Sequence, residues 1–291
     1  MRDRREQERL HGKRIAGLVV TMAGLVYNGS IFGASGRGVW GYLVKVSEQA
    51  SFLGACLGAM LAYRRHGPRL LGNILIQQIY FTGVQSLGLI VWTALVFGGL
   101  IVLQGITQLN RLGSLDQLGV ILIISIIREL GPMLTAIIII LRSGSAIALE
   151  IGYMNVLGEI DGLEMQGISA LHFLGVPRVL GVAVSLVCLV IFFDIIAIVG
   201  GFCAVWILMD ITVVTFLHSL LMEIKAVDFL IVLSKSLCFG LVIPIVCLHG
   251  GFGAHKAVTN VPPLVSRALV DCLIYCVFFN IIISAAFLTA F

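Results

Sequence analysis

Ionisable side chains set inside long apolar runs carry the most chemical information in this sequence. Arg128-Glu129-Leu130-Gly131-Pro132 interrupts a stretch that is otherwise largely aliphatic from about Leu118 to Ala148. Arg142-Ser143-Gly144-Ser145 interrupts it again. A charge held in the apolar part of a bilayer costs roughly 2.5–3.5 kcal/mol on insertion scales, so each of these groups needs a counterpart. Two readings follow. Arg128 and Glu129 brace the fold by pairing with polar groups on neighbouring helices, or their face lines a cavity that handles the charged headgroup of an amphiphile. In an unbroken helix Arg142 lies about four turns, or roughly 21 Å, beyond Arg128 on nearly the same face. Pro132 removes a backbone donor and bends such a helix, while Gly144 and its flanking serines permit close helix approach.

A second constellation follows the same run. From Gly152 to Ile168 the acids Glu159, Asp161 and Glu164 alternate with Leu157, Ile160 and Leu163. A three-residue apolar rhythm in so short a segment predicts an amphipathic helix between two spans. One reading is a solvated loop helix. The other is a docking helix whose apolar face meets a cytoplasmic partner.

The elements that position these groups follow from hydropathy. Apolar residues make up 59% of the 291 residues, charged residues 12%, and the mean hydropathy is +1.08. A soluble domain carries about twice that share of charge. Runs long enough to cross a bilayer, about 20 residues, predict five spans, at about Phe81–Gln104, Leu118–Ala148, within Val176–Met209, Phe229–Leu248 and Leu264–Phe291. The stretches Ile15–Tyr27 and Ala50–Ala62 are shorter and have basic flanks, which predicts interfacial helices lying in the headgroup zone. The fold class is therefore an all-α membrane protein, with a cytoplasmic tail and interfacial helices over 1–62 and a five-span domain over 63–291. Eleven of the 19 Lys and Arg residues precede position 71. That bias places the N-terminus in the cytoplasm, and an odd span count then puts the C-terminus on the periplasmic side. The stretch after Ile15 lacks a small-x-small cleavage pattern, so no cleavable signal is expected.

Several chemistries are missing. There is no GxxxxGK[ST] phosphate loop, so ATP is not bound here by that route. No HExxH, GxSxG or Cys/His metal spacing occurs, and no catalytic residue or metal ligand is assigned. The seven cysteines sit in apolar runs without a CxxC pair and read as packing residues. The basic N-terminal segment has no soluble basic domain beside it, so nucleic acid is not an expected partner.

Taken in order, Ile127-Arg128-Glu129-Leu130-Gly131-Pro132, then Arg142-Ser143-Gly144-Ser145-Ala146-Ile147-Ala148-Leu149-Glu150-Ile151-Gly152, then Glu159, Glu164-Met165 and Pro177-Arg178 closely resemble the MlaE/YrbE-like permease family. The resemblance runs from about Arg64 to the C-terminus and includes Arg65-His66 and Leu103-Gln104-Gly105. It implies a homodimeric permease of an ABC transporter in the bacterial inner membrane, not itself an enzyme and without a cofactor of its own. ATP would be held by a separate cytoplasmic ATPase subunit, and an MCE-domain protein would sit on the periplasmic side. The cargo would be phospholipid, in maintenance of outer-membrane lipid asymmetry. By the same resemblance, Leu103, Gln104, Leu109, Arg128 and Glu129 are lipid-binding positions. Glu159, Asp161, Glu164 and Gly167 belong to the helix that couples to the ATPase. The chain departs from the family pattern at Asp194, in the loop around Gly250–Ala254, and over its first 60 residues. Carriage of a sterol or other hydrophobic compound, or a non-transport membrane scaffold or embedded enzyme, are the alternatives.

Overall fold

The computed structural model describes residues 51, 54, 68–112, 123–208, 224–254 and 257–290. All but Ser51 and Gly54 fall in one compact unit, Ala55–Phe291. Apart from Ser51 and Gly54, the two expected interfacial helices lie outside the described residues, as does the boundary at 62/63.

The described chain is helical, and five of its helical stretches are long and apolar enough to cross a membrane: Gly72–Gln108, Ile123–Val156, Leu171–Ile207, Ala226–Phe252 and Val258–Thr289. The first contains α1 (Pro68–Thr82), a tight turn at Val84–Ser86 and α2 (Leu87–Leu112). The second comprises wide π-helical turns at Ile123–Leu130, then α3 (Gly131–Ile139), further wide turns at Ile140–Gly144, and α4 (Ser145–Val156). A short helix α5 (Glu159–Met165) follows. The third span is a wide turn at Leu171–Gly175 leading into α6 (Val176–Leu208). The fourth is α7 (Ala226–Phe252), and the fifth is α8 (Val261–Ala290), entered through a turn at Val258–Asn260.

The first span begins earlier than hydropathy predicts. Asn73, Gln77 and Gln78 depress the apolar signal there, yet Gln78 donates to Thr82 Oγ1 at 2.9 Å, satisfying one polar group within the helix. The side chain of Gln78 also lies against Gly181 of α6. The fourth span is the most enclosed and the fifth the least. Beyond Arg267, most of the exposed residues of the fifth, including Phe278, Ile281 and Leu288, are apolar, as a lipid-facing or subunit-facing surface requires.

Apolar burial does not hold helices together in a bilayer as it does in water, so backbone proximity matters more. The α2–α6 pair shows this. A Cβ on Gly98 would run into the backbone of Ala197, and one on Gly200 into the backbone of Leu95 at 2.7 Å. Ala197 and Ile90 are fully buried on this seam. Two hydrogen-bond bridges close the end of the bundle that carries α5. Arg178 Nη2 meets Glu150 Oε1 at 2.6 Å, joining the second and third spans. Asn155 Nδ2 donates to the carbonyls of Phe252 and Ala254, both at 2.8 Å, joining the second and fourth. The motif elements around Glu150 and Pro177-Arg178, separate in the sequence, thus form one ion pair. Cys247 and Cys272 are free thiols, both buried, with sulfurs 3.6 Å apart, in keeping with a packing role.

The α2–α6 seam yields a stability test. Gly98→Ala should lower thermal stability in detergent by an amount equivalent to about 2 kcal/mol, because backbone atoms cannot give way as side chains do. Gly105→Ala, whose added methyl meets nothing within 4 Å, should leave the melting temperature unchanged or slightly raised. Fluorescence-detected size exclusion after heating separates the two outcomes, and equal behaviour of both variants would count against the seam.

Candidate functional site

The second span sets the geometry of the site through a change in helical winding. Wide turns run from Ile123 to Leu130, and ordinary α-helix resumes at Gly131 with Pro132 in its first turn. Proline is tolerated there because its missing N–H falls among groups left free by the change in register. Wide turns of this kind are concentrated at functional sites. Here they carry Arg128 and Glu129, which point to partners on two other spans.

Arg128 pairs with Asp228 at the start of α7, through both Nε and Nη2 to Oδ1. Asp228 is itself buried, and its Oδ2 accepts from the backbone N–H of Lys225 at 2.8 Å. Glu129 is the hub. Its Oε1 lies 3.0 Å from Lys235 Nζ and accepts from Ser284 Oγ at 2.6 Å, while its Oε2 accepts from Asn280 Nδ2 at 2.8 Å. Lys235, in the interior of the fourth span, has a side chain with no exposed surface, and it also donates to the backbone carbonyl of Arg128 at 2.7 Å. Two ion pairs therefore tie the second span to the fourth, and Glu129 extends the network to the fifth.

The network borders a cavity of about 420 Å³. Arg128, Glu129, Lys225 and Ser284 supply its polar wall, and Ile124, Val227, Ile231, Phe287 and Leu288 its apolar wall. It sits near the beginning of the second and fourth spans and the end of the fifth. Because successive spans alternate direction, this is the opposite end of the bundle from α5. Small-molecule sites have this character: mostly apolar walls with a few placed polar groups.

The candidate residues named from the sequence divide. Arg128 and Glu129 brace neighbouring helices and also line the cavity. Leu103 is half-buried and Gln104 exposed on α2, and neither lines the cavity. Leu109 also lies on α2, and its side chain is not among those described. Arg142 does not share a neighbour with Arg128. Its guanidinium reaches Gln85 Oε1 at 3.4 Å, beside the first span, because the wide turns at Ile140–Gly144 change the helical phase. Asp194 is separate again. It is buried against Gly131 on α3, and its Oδ1 has no hydrogen-bond partner among the described residues.

Glu159, Asp161, Glu164 and Gly167 fall on α5 and the turn after it. Glu159, Asp161 and Gly167 are exposed, as is Glu164. Ile160 is buried, while Leu157, Met165 and Ile168 present apolar surface outward. Gly158 and Gly167 bracket α5 with φ of 76° and 78°. This left-handed conformation favours glycine, and it ends one helix and reverses the chain within a residue.

Asp228, Lys235, Asn280 and Ser284 escape the sequence reading. Lys235 carries a usable signal, since a lysine well inside an apolar span requires a buried acid. Asp228 and Ser284 are polar residues near span ends, where water is the ordinary partner, and Asn280 is uncharged, so its place inside the fifth span gives a weaker signal.

The ion pairs yield an asymmetric prediction. Glu129→Ala strands a fully buried ammonium and should destabilise by roughly 3–5 kcal/mol. Lys235→Met should cost less, because Ser284 and Asn280 still serve Glu129. The Glu129→Ala/Lys235→Met double variant should recover most of the loss. Additive losses in a thermal-shift double-mutant cycle would show that the pair is not coupled.

Comparison with known proteins agrees with this architecture. The Permease MlaE family profile matches residues 75–286. A probable ABC transporter permease protein of Rickettsia bellii is 28% identical over 220 residues, covering 76% of this chain and 85% of the relative. The intermembrane phospholipid transport system permease protein MlaE of Haemophilus influenzae is 36% identical over 138 residues, 47% of this chain and 51% of the relative. A probable ABC transporter permease protein of Pyropia yezoensis is 30% identical over 191 residues, covering 65% and 73%. With the profile spanning the five membrane helices and the network that joins three of them, this chain belongs to the MlaE permease family.

Proposed function

We propose that this chain is the membrane-spanning permease subunit of an ABC-type transporter that moves phospholipid between the bacterial inner membrane and the cell envelope. Its partners are a second copy of the chain, a cytoplasmic ATPase subunit that binds and hydrolyses ATP, and a periplasmic MCE-domain protein. The N-terminus lies in the cytoplasm and the C-terminus in the periplasm. The observation that carries this reading is the arrangement of the second span. One helical stretch of 34 residues, Ile123–Val156, holds the cavity's Arg128 and Glu129 near one end and leads into exposed α5 at the other.

That arrangement supports a mechanical role. A helix of this length spans roughly 50 Å, and its α5 end is tied to the third and fourth spans by the Arg178–Glu150 and Asn155 bridges. Displacement of α5 by an ATPase that closes on ATP would move the bundle end as a unit. The cavity end answers through the Arg128–Asp228 and Glu129–Lys235 pairs, which link the moving second span to the fourth. Acyl chains fit the apolar wall, and a headgroup fits the polar one. A lipid-contact role for Leu103, Gln104 and Leu109 on α2 is supported by the family resemblance, and Leu103 and Gln104 would act outside the single-chain cavity. An uncharged sterol-like cargo would leave the polar wall without a complement on the ligand side, which favours phospholipid.

The test is reconstitution of the chain with its ATPase in proteoliposomes. Glu159→Lys/Glu164→Lys should reduce ATP-dependent lipid transfer by about tenfold or more while the chain remains folded. Transfer at the unaltered rate would remove α5 from the coupling role.

A further inference from the structure

The cavity's charges do not cancel. Arg128 is paired with Asp228, and Lys235 with Glu129. Lys225, the remaining charged residue of the cavity wall, has no carboxylate partner for its ammonium among the described residues. Its backbone is committed instead. The Lys225 N–H donates to Asp228 Oδ2 at 2.8 Å, and its carbonyl accepts from the Asp228 N–H at 2.9 Å. These two bonds start α7 and hold the lysine at the cavity. Among the described residues, the acids beside the cavity are Asp228 and Glu129, and both are already engaged, by Arg128 and Lys235. Among the described residues, the wall and its partners therefore bear one formal positive charge in excess.

Resting on the transport reading above, we infer that Lys225 selects among cargo lipids, favouring glycerophospholipids whose headgroup carries a net negative charge over zwitterionic ones. A zwitterionic headgroup brings its own cation into a cavity whose other bases are already paired, and that cation meets the excess positive charge. An anionic headgroup supplies the one counter-charge the wall lacks. Asp228 and Glu129 each already accept from three donors, which lowers their capacity to draw in a headgroup cation. The cavity accommodates a headgroup and the first carbons of its chains, with Phe287, Leu288 and Ile231 on the apolar side.

The experiment uses the chain purified with its ATPase and reconstituted into nanodiscs of equimolar phosphatidylglycerol and phosphatidylethanolamine. Lipid retained after detergent extraction is identified by native mass spectrometry. The unaltered protein should retain phosphatidylglycerol in excess. One basic residue near a lipid surface accounts for about a fivefold preference, so Lys225→Ala should abolish an excess of that size. Lys225→Glu should invert it, and Lys225→Arg should keep it. Because the two bonds that start the helix use the backbone of Lys225, these variants preserve them. A lipid ratio in Lys225→Glu equal to that of the unaltered protein would overturn the inference while leaving phospholipid transport intact. Absence of any retained phospholipid in the unaltered protein would overturn both.

Discussion

The buried Lys235–Glu129 pair is the constraint on which the rest of this structure depends. An ammonium with no exposed surface in the interior of a membrane helix is tolerable only with an acid held against it, and the acid comes from a different span. That requirement fixes the rotation of the second span relative to the fourth. Ser284 and Asn280 then fix the fifth span to the same carboxylate. Arg128, the residue before the hub, must consequently face the start of α7, where Asp228 meets it. The wide helical turns at Ile123–Leu130 follow from these demands, since consecutive residues have to satisfy partners on the same neighbouring helix.

The two ends of the bundle are held differently, and the contrast bears on function. The α5 end is closed by a single ion pair and by an amide donating to two carbonyls, with Glu150 of that pair largely exposed. Between the ends, the α2–α6 seam brings backbones together at Gly98 and Gly200 and leaves little room for sliding. The cavity end instead relies on charges packed beside unfilled volume. Under the proposed coupling role, a force applied at α5 would pass along this closely packed middle to the part of the structure where side chains border open volume.

Much of this is legible in the sequence, for physical reasons that also explain what is not. Span number follows from length and hydropathy, because a bilayer demands uninterrupted helix. Hydropathy misplaces span ends where polar residues are satisfied internally, as Gln78 and Thr82 are in α1. Arg128 and Glu129 are conspicuous as charges in an aliphatic run, and the resemblance to a known family attaches a function to them. Their partners are less conspicuous, because Asp228 and Ser284 sit near span ends where solvent is the usual explanation, and Asn280 carries no charge. Arg142 faces elsewhere than periodicity predicts, because a regular helical repeat cannot reveal an inserted wide turn. The α5 segment is clear from its alternation of acids and aliphatics, and its bracketing glycines acquire meaning only from their backbone angles.

The central claim is that the cavity between the second, fourth and fifth spans is part of the path of the lipid. Filling it tests that claim most directly. Ile231 lines the cavity one helical turn from both Asp228 and Lys235, and Ile231→Trp would occupy much of the volume while leaving every charged residue in place. ATP-dependent phospholipid transfer from proteoliposomes containing this chain and its ATPase should fall to near the no-ATP background in the variant, with the complex still assembled. Transfer at the unaltered rate through a filled cavity would contradict the claim.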